Sequence, residues 1–356
     1  MKPKLKVLCL HGRGTSGVIF KSQTASIRSR LTDLNLSFDF VDGPYPAAPA
    51  PGIDLFYTPP YYTFYPESAQ PTTIETIRST QKWLAGIIAE RGPYDLVMTF
   101  SQGASVVAET LLMHEYDYAQ SQQDSLDGES NSPPFKAAIF ICGGAPLTLM
   151  SHIGYTIPEI TKARDLASRA TLAQMASSEA ILSKGSARWS ANSHLPNLDM
   201  NPGLGLGHSL FNLNPYPSPT SDMDDNNINT LQLTFNKEDE IRREISGPHA
   251  YPSPSPTADT NQALTAGLPR RSSDGNGNGN VKITIPTVHI YGERDPRYIA
   301  GIQLSEVCEK SSRKVYNHGG GHEIPRFEAV SGAMADLVRW AVRAAERRRE
   351  TEDWYG

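Results

Sequence analysis

Three segments of the chain carry side chains that could share one reaction. The first is residues 96–104, LVMTFSQGA, where an apolar run meets Ser101 and passes into an apolar helical pattern reaching about His114. A strand, a sharp turn and a helix in that order push a serine hydroxyl out at the end of a sheet, above a helix N-terminus. Small residues must flank such a serine because strand and helix pass closely. Gly103 meets that need, whereas Thr99 stands where the pattern usually has Gly. The second segment is an apolar run ending at Tyr291, followed by Gly292, Glu293, Arg294, Asp295 and Pro296. The third is a run ending at Asn317 that leads into HGGGHEIP, residues 318–325. A serine alone is a poor nucleophile and needs a base that is itself oriented by an acid. The order Ser101, Asp295, His322, each just past a strand, is the order this turn requires. Asp295 is favoured over Glu293 because a tight turn before proline suits Asp. His322 is favoured over His318, which reads as a turn residue holding the glycine loop.

Such chemistry also needs donors for a developing oxyanion. The loop after the first apolar run, His11-Gly12-Arg13-Gly14, offers the backbone N–H of Arg13, to be joined by that of Gln102. The same loop supports a rival from another class. Gly12 to Gly17 fits G-x-G-x-x-G after a strand, and Asp42 ends a second strand downstream, close to the spacing of a dinucleotide-dependent reductase. That reading leaves the surroundings of Ser101, Asp295 and His322 unexplained.

The elements that must position these residues are legible as alternating runs. Apolar stretches at 5–10, 38–42, 96–100, 137–142, 283–291 and 314–317 show little alternation, as strands buried on both faces should. Between them lie helical patterns at 72–91, closed by Gly92-Pro93, and around Val330 to Val342. This predicts an α/β-hydrolase fold, a mostly parallel sheet with helices on both faces, in a single domain spanning 1–356. Residues 120–134 and 186–280, rich in Ser, Pro, Gly, Asn and Asp, are predicted to be a flexible insertion and a long low-complexity insertion.

Composition removes other classes. The 356 residues carry a net charge of −5, which disfavours nucleic acid as a partner. The basic run Arg347–Arg349 ends a helical pattern, where cations face the helix C-terminal dipole. Three cysteines in so long a chain argue against a disulfide framework and for a reducing compartment. No apolar stretch is long enough to span a bilayer, and the short run at 7–10 is too brief for a signal peptide. A cytoplasmic protein with no membrane partner is expected. No spacing suggests a metal site, and the chemistry requires no cofactor.

The segments LCLHG (8–12), FVDGP (40–44), FSQGA (100–104), VHIYGE (288–293) and 318–325 together resemble the fungal serine hydrolases of the FSH type. The animal ovarian-cancer-associated hydrolases are similar. Within that group the chain also resembles the LovG-type thioesterases of fungal polyketide pathways. That resemblance implies hydrolysis of an acyl thioester held on the acyl-carrier domain of a synthase, with a small acyl substrate. From the residues themselves, Tyr57, Tyr61, Tyr62 and Phe64, in a proline-rich loop after the second strand, could wall an acyl site. They could equally pack on the domain to order the loop. The stretch 147–183 lies where such hydrolases carry a lid and has the composition of helices.

Overall fold

The computed structural model describes residues 4–68, 72–124, 132–175, 270–271 and 281–355. Its centre is a six-stranded sheet of β1 (Leu5–Leu10), β2 (Leu36–Val41), β5 (Leu96–Phe100), β6 (Ala137–Ile141), β9 (Thr287–Tyr291) and β10 (Arg313–Asn317). The spatial order is β10-β9-β6-β5-β1-β2, and every pairing is parallel. Parallel neighbours need crossovers, and helices supply them on both faces. This is the α/β-hydrolase fold expected from the run pattern.

Strand alternation divides the core into two apolar layers. Leu8, Leu10, Val97, Ala138 and Phe140 face one side. There they meet Ile77 and Leu84 of α3 (Ile74–Arg91), residues 104–112 of α4 (Gln102–Asp124) and Leu304 of α7 (Tyr298–Glu306). Cys9, Met98, Ile139, Val288 and Ile290 face the other, against Phe20 of α1 (Gly17–Gln23), Ile27 of α2 (Ala25–Arg28) and Met334 to Val342 of α8 (Glu328–Tyr355). Helix α3 starts at Ile74, two residues into the predicted 72–91, with the Thr73 hydroxyl accepting the Thr76 N–H as its cap.

Three expectations are corrected. The run at 283–291 is not one strand: β9 begins at Thr287, after a proline that lacks an N–H, and Ile283 instead bridges Cys308. Helix α4 continues ten residues past His114 to Asp124, so the predicted insertion at 120–134 begins inside a helix. Its last turns are polar in sequence, so apolar periodicity marks only the earlier part. Within 186–280, Arg270–Arg271 (β8) pairs antiparallel with Tyr155–Thr156 (β7), so these two residues join the fold. The rest of 186–280 lies outside the described residues. The stretch proposed as a lid contains α5 (Leu147–His152), β7 and α6 (Glu159–Met175), with 176–183 outside the described residues.

Candidate active site

The three chemical segments meet at the C-terminal edge of the sheet. Ser101 follows β5 directly and has φ 51°, the left-handed region that a non-glycine residue enters only where its surroundings force it. Its N–H is held by the Ile141 carbonyl at 2.9 Å. The compression shows in the glycines around it. A Cβ on Gly103 would fall 2.5 Å from the Leu10 carbonyl oxygen, and one on Gly12 2.9 Å from the Phe100 ring. Thr99 is tolerated because its buried hydroxyl donates to the Ile139 carbonyl at 2.9 Å, so no polar atom is stranded.

His322 Nε2 lies 2.8 Å from Ser101 Oγ, and His322 Nδ1 lies 2.7 Å from Asp295 Oδ2. The other Asp295 oxygen accepts the Arg297 N–H at 2.7 Å. The Asp295 carboxylate is buried, whereas Glu293 is exposed to solvent. The His322 ring packs on Phe100 with centroids 5.3 Å apart. The loops carrying acid and base interlock: Gly320 O accepts the Arg294 N–H at 2.9 Å, and Gly292 approaches Gly320 too closely for any side chain. His318 is turned into this loop, with Nδ1 accepting the Gly320 N–H at 3.1 Å. Burial lowers its pKa to about 4, which keeps the ring neutral.

Around Ser101, the backbone N–H groups of Arg13 and Gln102 have no protein partner among the described residues. The loop bearing Arg13 is fixed by His11, whose Nδ1–H donates to the Gly12 carbonyl at 2.7 Å while Nε2 accepts the Gly43 N–H at 3.0 Å. Both ring nitrogens are thereby assigned, and burial holds the His11 pKa below its ordinary value. The Gln102 side chain has a task of its own: Oε1 accepts from Thr63 Oγ1 and from the Phe64 N–H, each at 3.0 Å. It ties the aromatic loop to the serine turn.

The four aromatic residues separate. Phe64 is completely buried, packed on His11 and Trp83, and belongs to the core rather than to a cleft wall. Tyr61 is buried with its hydroxyl on the Tyr57 carbonyl. Tyr62 sits in β4 (Tyr62–Thr63), where its backbone pairs with Gly14 and Thr15 and braces the loop carrying Arg13. Tyr57 alone lines a cleft, of about 210 Å³, with Val18, Ile19, Pro59 and Pro60. Three of the four therefore order the loop, as their proline-rich surroundings demand.

The dinucleotide reading fails on the same geometry. At the start of α1, the Ser16 hydroxyl accepts the Ile19 N–H and Asp42 Oδ1 accepts the Gly17 N–H at 2.7 Å. Protein side chains thus fill the helix N-terminus that a pyrophosphate would need. For metals, the described residues offer one cluster, Cys142, Asp295 and His322, with donor atoms within 4.8 Å. Asp295 and His322 are already engaged with each other, and burial pushes the Cys142 thiol well up. Cys142 has φ 50° and its sulfur lies 3.5 Å from the Glu323 carbonyl.

The model of the serine hydrolase family FSH1 matches residues 1–173 and 264–334, more than half of the chain. The chain belongs to the FSH1 serine hydrolase family. Among relatives, esterase FPY3 of Fusarium mangiferae is 34% identical over 143 residues, 40% of this chain and 58% of that protein. Hydrolase phiM of Talaromyces stipitatus is 36% identical over 120 residues, 32% of this chain and 48% of its own. The matched part of this FSH1 member thus spans about half the length of those relatives. Esterase alnB of Emericella nidulans aligns over 96% of the chain and 98% of its own length at 24% identity. Among solved structures, SOBER1 of Arabidopsis thaliana has a TM-score of 0.40 at 12% identity, covering 96% of this chain and 100% of its own. At that degree of likeness the fold rests on the sheet order itself. No described helix is long and apolar enough to cross a membrane.

Sequence reasoning missed Arg297, Phe100 and Cys142. Arg297, two residues past Asp295, had a local signal: an Asp side chain commonly accepts an N–H two positions on.

Proposed function

We propose that this chain hydrolyses acyl thioesters or esters through an acyl-enzyme on Ser101, and that its substrate is a polyketide or fatty acyl group borne by a carrier domain in fungal secondary metabolism. The supporting observation is the hydrogen-bonded line Ser101–His322–Asp295, with both ring nitrogens of His322 engaged. His322 Nε2 takes the Ser101 proton as Oγ attacks the acyl carbonyl. Asp295 receives the Nδ1–H and stabilises the imidazolium. The N–H groups of Arg13 and Gln102 donate to the oxyanion. His322 passes that proton to the departing thiol or alcohol, and water then attacks the acyl-enzyme with the same base. The Ser101 proton leaves with the thiol or alcohol, and a proton from the attacking water, carried by His322, restores the Ser101 hydroxyl as the acid is released.

A general carboxylesterase is the second reading, favoured by the names of the relatives, since FPY3 and alnB are both described as esterases. The thioester reading draws on the resemblance to polyketide thioesterases and on chemistry: a thiol leaves more readily than an alcohol. The two are separated by kcat/KM on matched thioester and ester substrates of one acyl chain, each divided by its uncatalysed rate. A ratio above one supports the thioesterase, and parity or an ester preference leaves the carboxylesterase. Fluorophosphonate labelling of wild type but not of Ser101→Ala tests the nucleophile. Labelling at another serine would reject it.

A further inference from the structure

Arg297 occupies two positions at once. Its N–H holds Asp295 Oδ1 at 2.7 Å, while its guanidinium, 7% exposed, reaches helix α6. There one nitrogen donates to Asp165 Oδ1 at 2.7 Å, to Ser168 Oγ at 3.1 Å and, at 3.4 Å, to the Asp165 carbonyl. The opening for this side chain is built in, since a Cβ on Gly144 would lie 2.4 Å from the other guanidinium nitrogen. Asp165 is also bound by Arg169 one turn on, at 2.8 Å. Burial alone would raise the Asp165 carboxyl, but the two guanidinium groups outweigh it and hold the group below its ordinary value, so the pair is ionised.

An ion pair between a buried guanidinium on the acid loop and a half-buried carboxylate on a helix 132 residues earlier in the chain needs a reason, because withdrawing charges from water gains little stability over apolar packing. One residue thus carries both contacts, its backbone N–H on Asp295 and its guanidinium on α6. We infer that Asp165 and Arg297 are positioning residues for the reaction: the docking of α6 sets the orientation of Asp295, and through it that of His322. Asp165 touches neither substrate nor the reacting atoms. It acts on catalysis through Arg297, so the position of α6 regulates the site. This inference rests on the Ser101–His322–Asp295 reading.

The test is steady-state hydrolysis of p-nitrophenyl butyrate by full-length wild type, Asp165→Ala, Asp165→Asn and Asp165→Glu, with thermal melts alongside. Misplacing a catalytic group by about an ångström costs up to roughly a hundredfold. Asp165→Ala is expected to lower kcat roughly ten- to a hundredfold, with KM within threefold and fluorophosphonate labelling slowed by the same factor. Asp165→Glu restores most of kcat, because a carboxylate again meets the guanidinium. A contact that only holds α6 in place would lower the melting temperature and leave kcat of the folded enzyme unchanged, and that result overturns the inference. A rise in KM alone overturns it as well, by making α6 a substrate wall. Should Asp165→Ala not fold, the isosteric Asp165→Asn carries the same expectation of a kcat loss and the same refutation. Activity persisting in Ser101→Ala would instead strike the underlying reading. A Ser101-dependent enzyme indifferent to Asp165 defeats this inference alone.

Discussion

A Cβ placed on Gly103 would lie 2.5 Å from the carbonyl oxygen of Leu10. The serine turn is therefore pressed against the end of β1, and backbone rather than a flexible side chain is the obstacle. Gly103→Ala forces the turn away from β1 and with it the Gln102 N–H from the Arg13 N–H. We expect a loss of roughly 1–3 kcal/mol in stability, as for other overpacked sites, and a fall in kcat exceeding that in folded fraction. Urea unfolding and activity per folded enzyme measure the two separately.

The acid can be assigned by a paired substitution. Asp295→Asn removes the charge that supports the His322 cation and presents the wrong tautomer, so kcat should drop on the order of 10^4-fold with little change in fold. Exposed Glu293→Gln should stay within twofold of wild type. Comparable losses in both variants would return Glu293 to candidacy.

Glu109, buried in α4, accepts the Tyr65 hydroxyl at 2.6 Å, and burial raises its pKa to about 8. The sign follows directly: an acid that binds its proton more tightly when folded costs nothing below the unfolded value of about 4.5, and stability is lost as pH rises from there towards 8. The loss amounts to about 3 kcal/mol by pH 7. Glu109→Gln keeps an acceptor for Tyr65 and should be more stable than wild type at pH 8, with the advantage shrinking towards pH 5. Denaturant titrations at both pH values check this, and an advantage independent of pH would contradict it.

Histidines act in the opposite direction. His289 is buried in β9 with its pKa lowered to about 3 by burial, and His11 and His318 are lowered for the same reason. Each is neutral when folded but takes up a proton on unfolding, so the stability they permit is fully present above pH 6.5. It declines as pH falls towards 4 and below. His289 alone should cost about 2 kcal/mol by pH 5. Proton uptake on unfolding, measured near pH 5.5, should be positive and should diminish in His289→Leu.

Local pattern carried much of this molecule. Apolar runs marked the inner strands β1, β5, β6 and β9, because parallel strands covered on both faces leave no polar alternation to confuse with helix, whereas the half-buried edge strands β2 and β10 carry polar residues such as Asp39 and Lys314. Ser101, Asp295 and His322 were each marked by a strand end and its turn residues. What stayed hidden depends on partners distant in the chain. The attachment of Arg297 to Asp165 joins residues far apart, and neither neighbourhood announces the other. The aromatic loop misled for a related reason: Tyr61 and Phe64 have the composition of a binding wall, but only the packing of Phe64 on His11 and Trp83 reveals a core role. The polar end of α4 was read as insertion because its residues, YAQSQQD, carry no apolar stripe.

The sulfur of Cys142 stands directly behind the His322–Asp295 pair, buried and kept as a thiol by burial and the Asp295 charge. Alkylating reagents therefore meet it when the loop holding His322 and Glu323 lifts away from Cys142. Inactivation by maleimide would then measure how often that loop opens. An inhibitor survey that sorts enzymes by thiol sensitivity would file this serine enzyme among the cysteine nucleophiles.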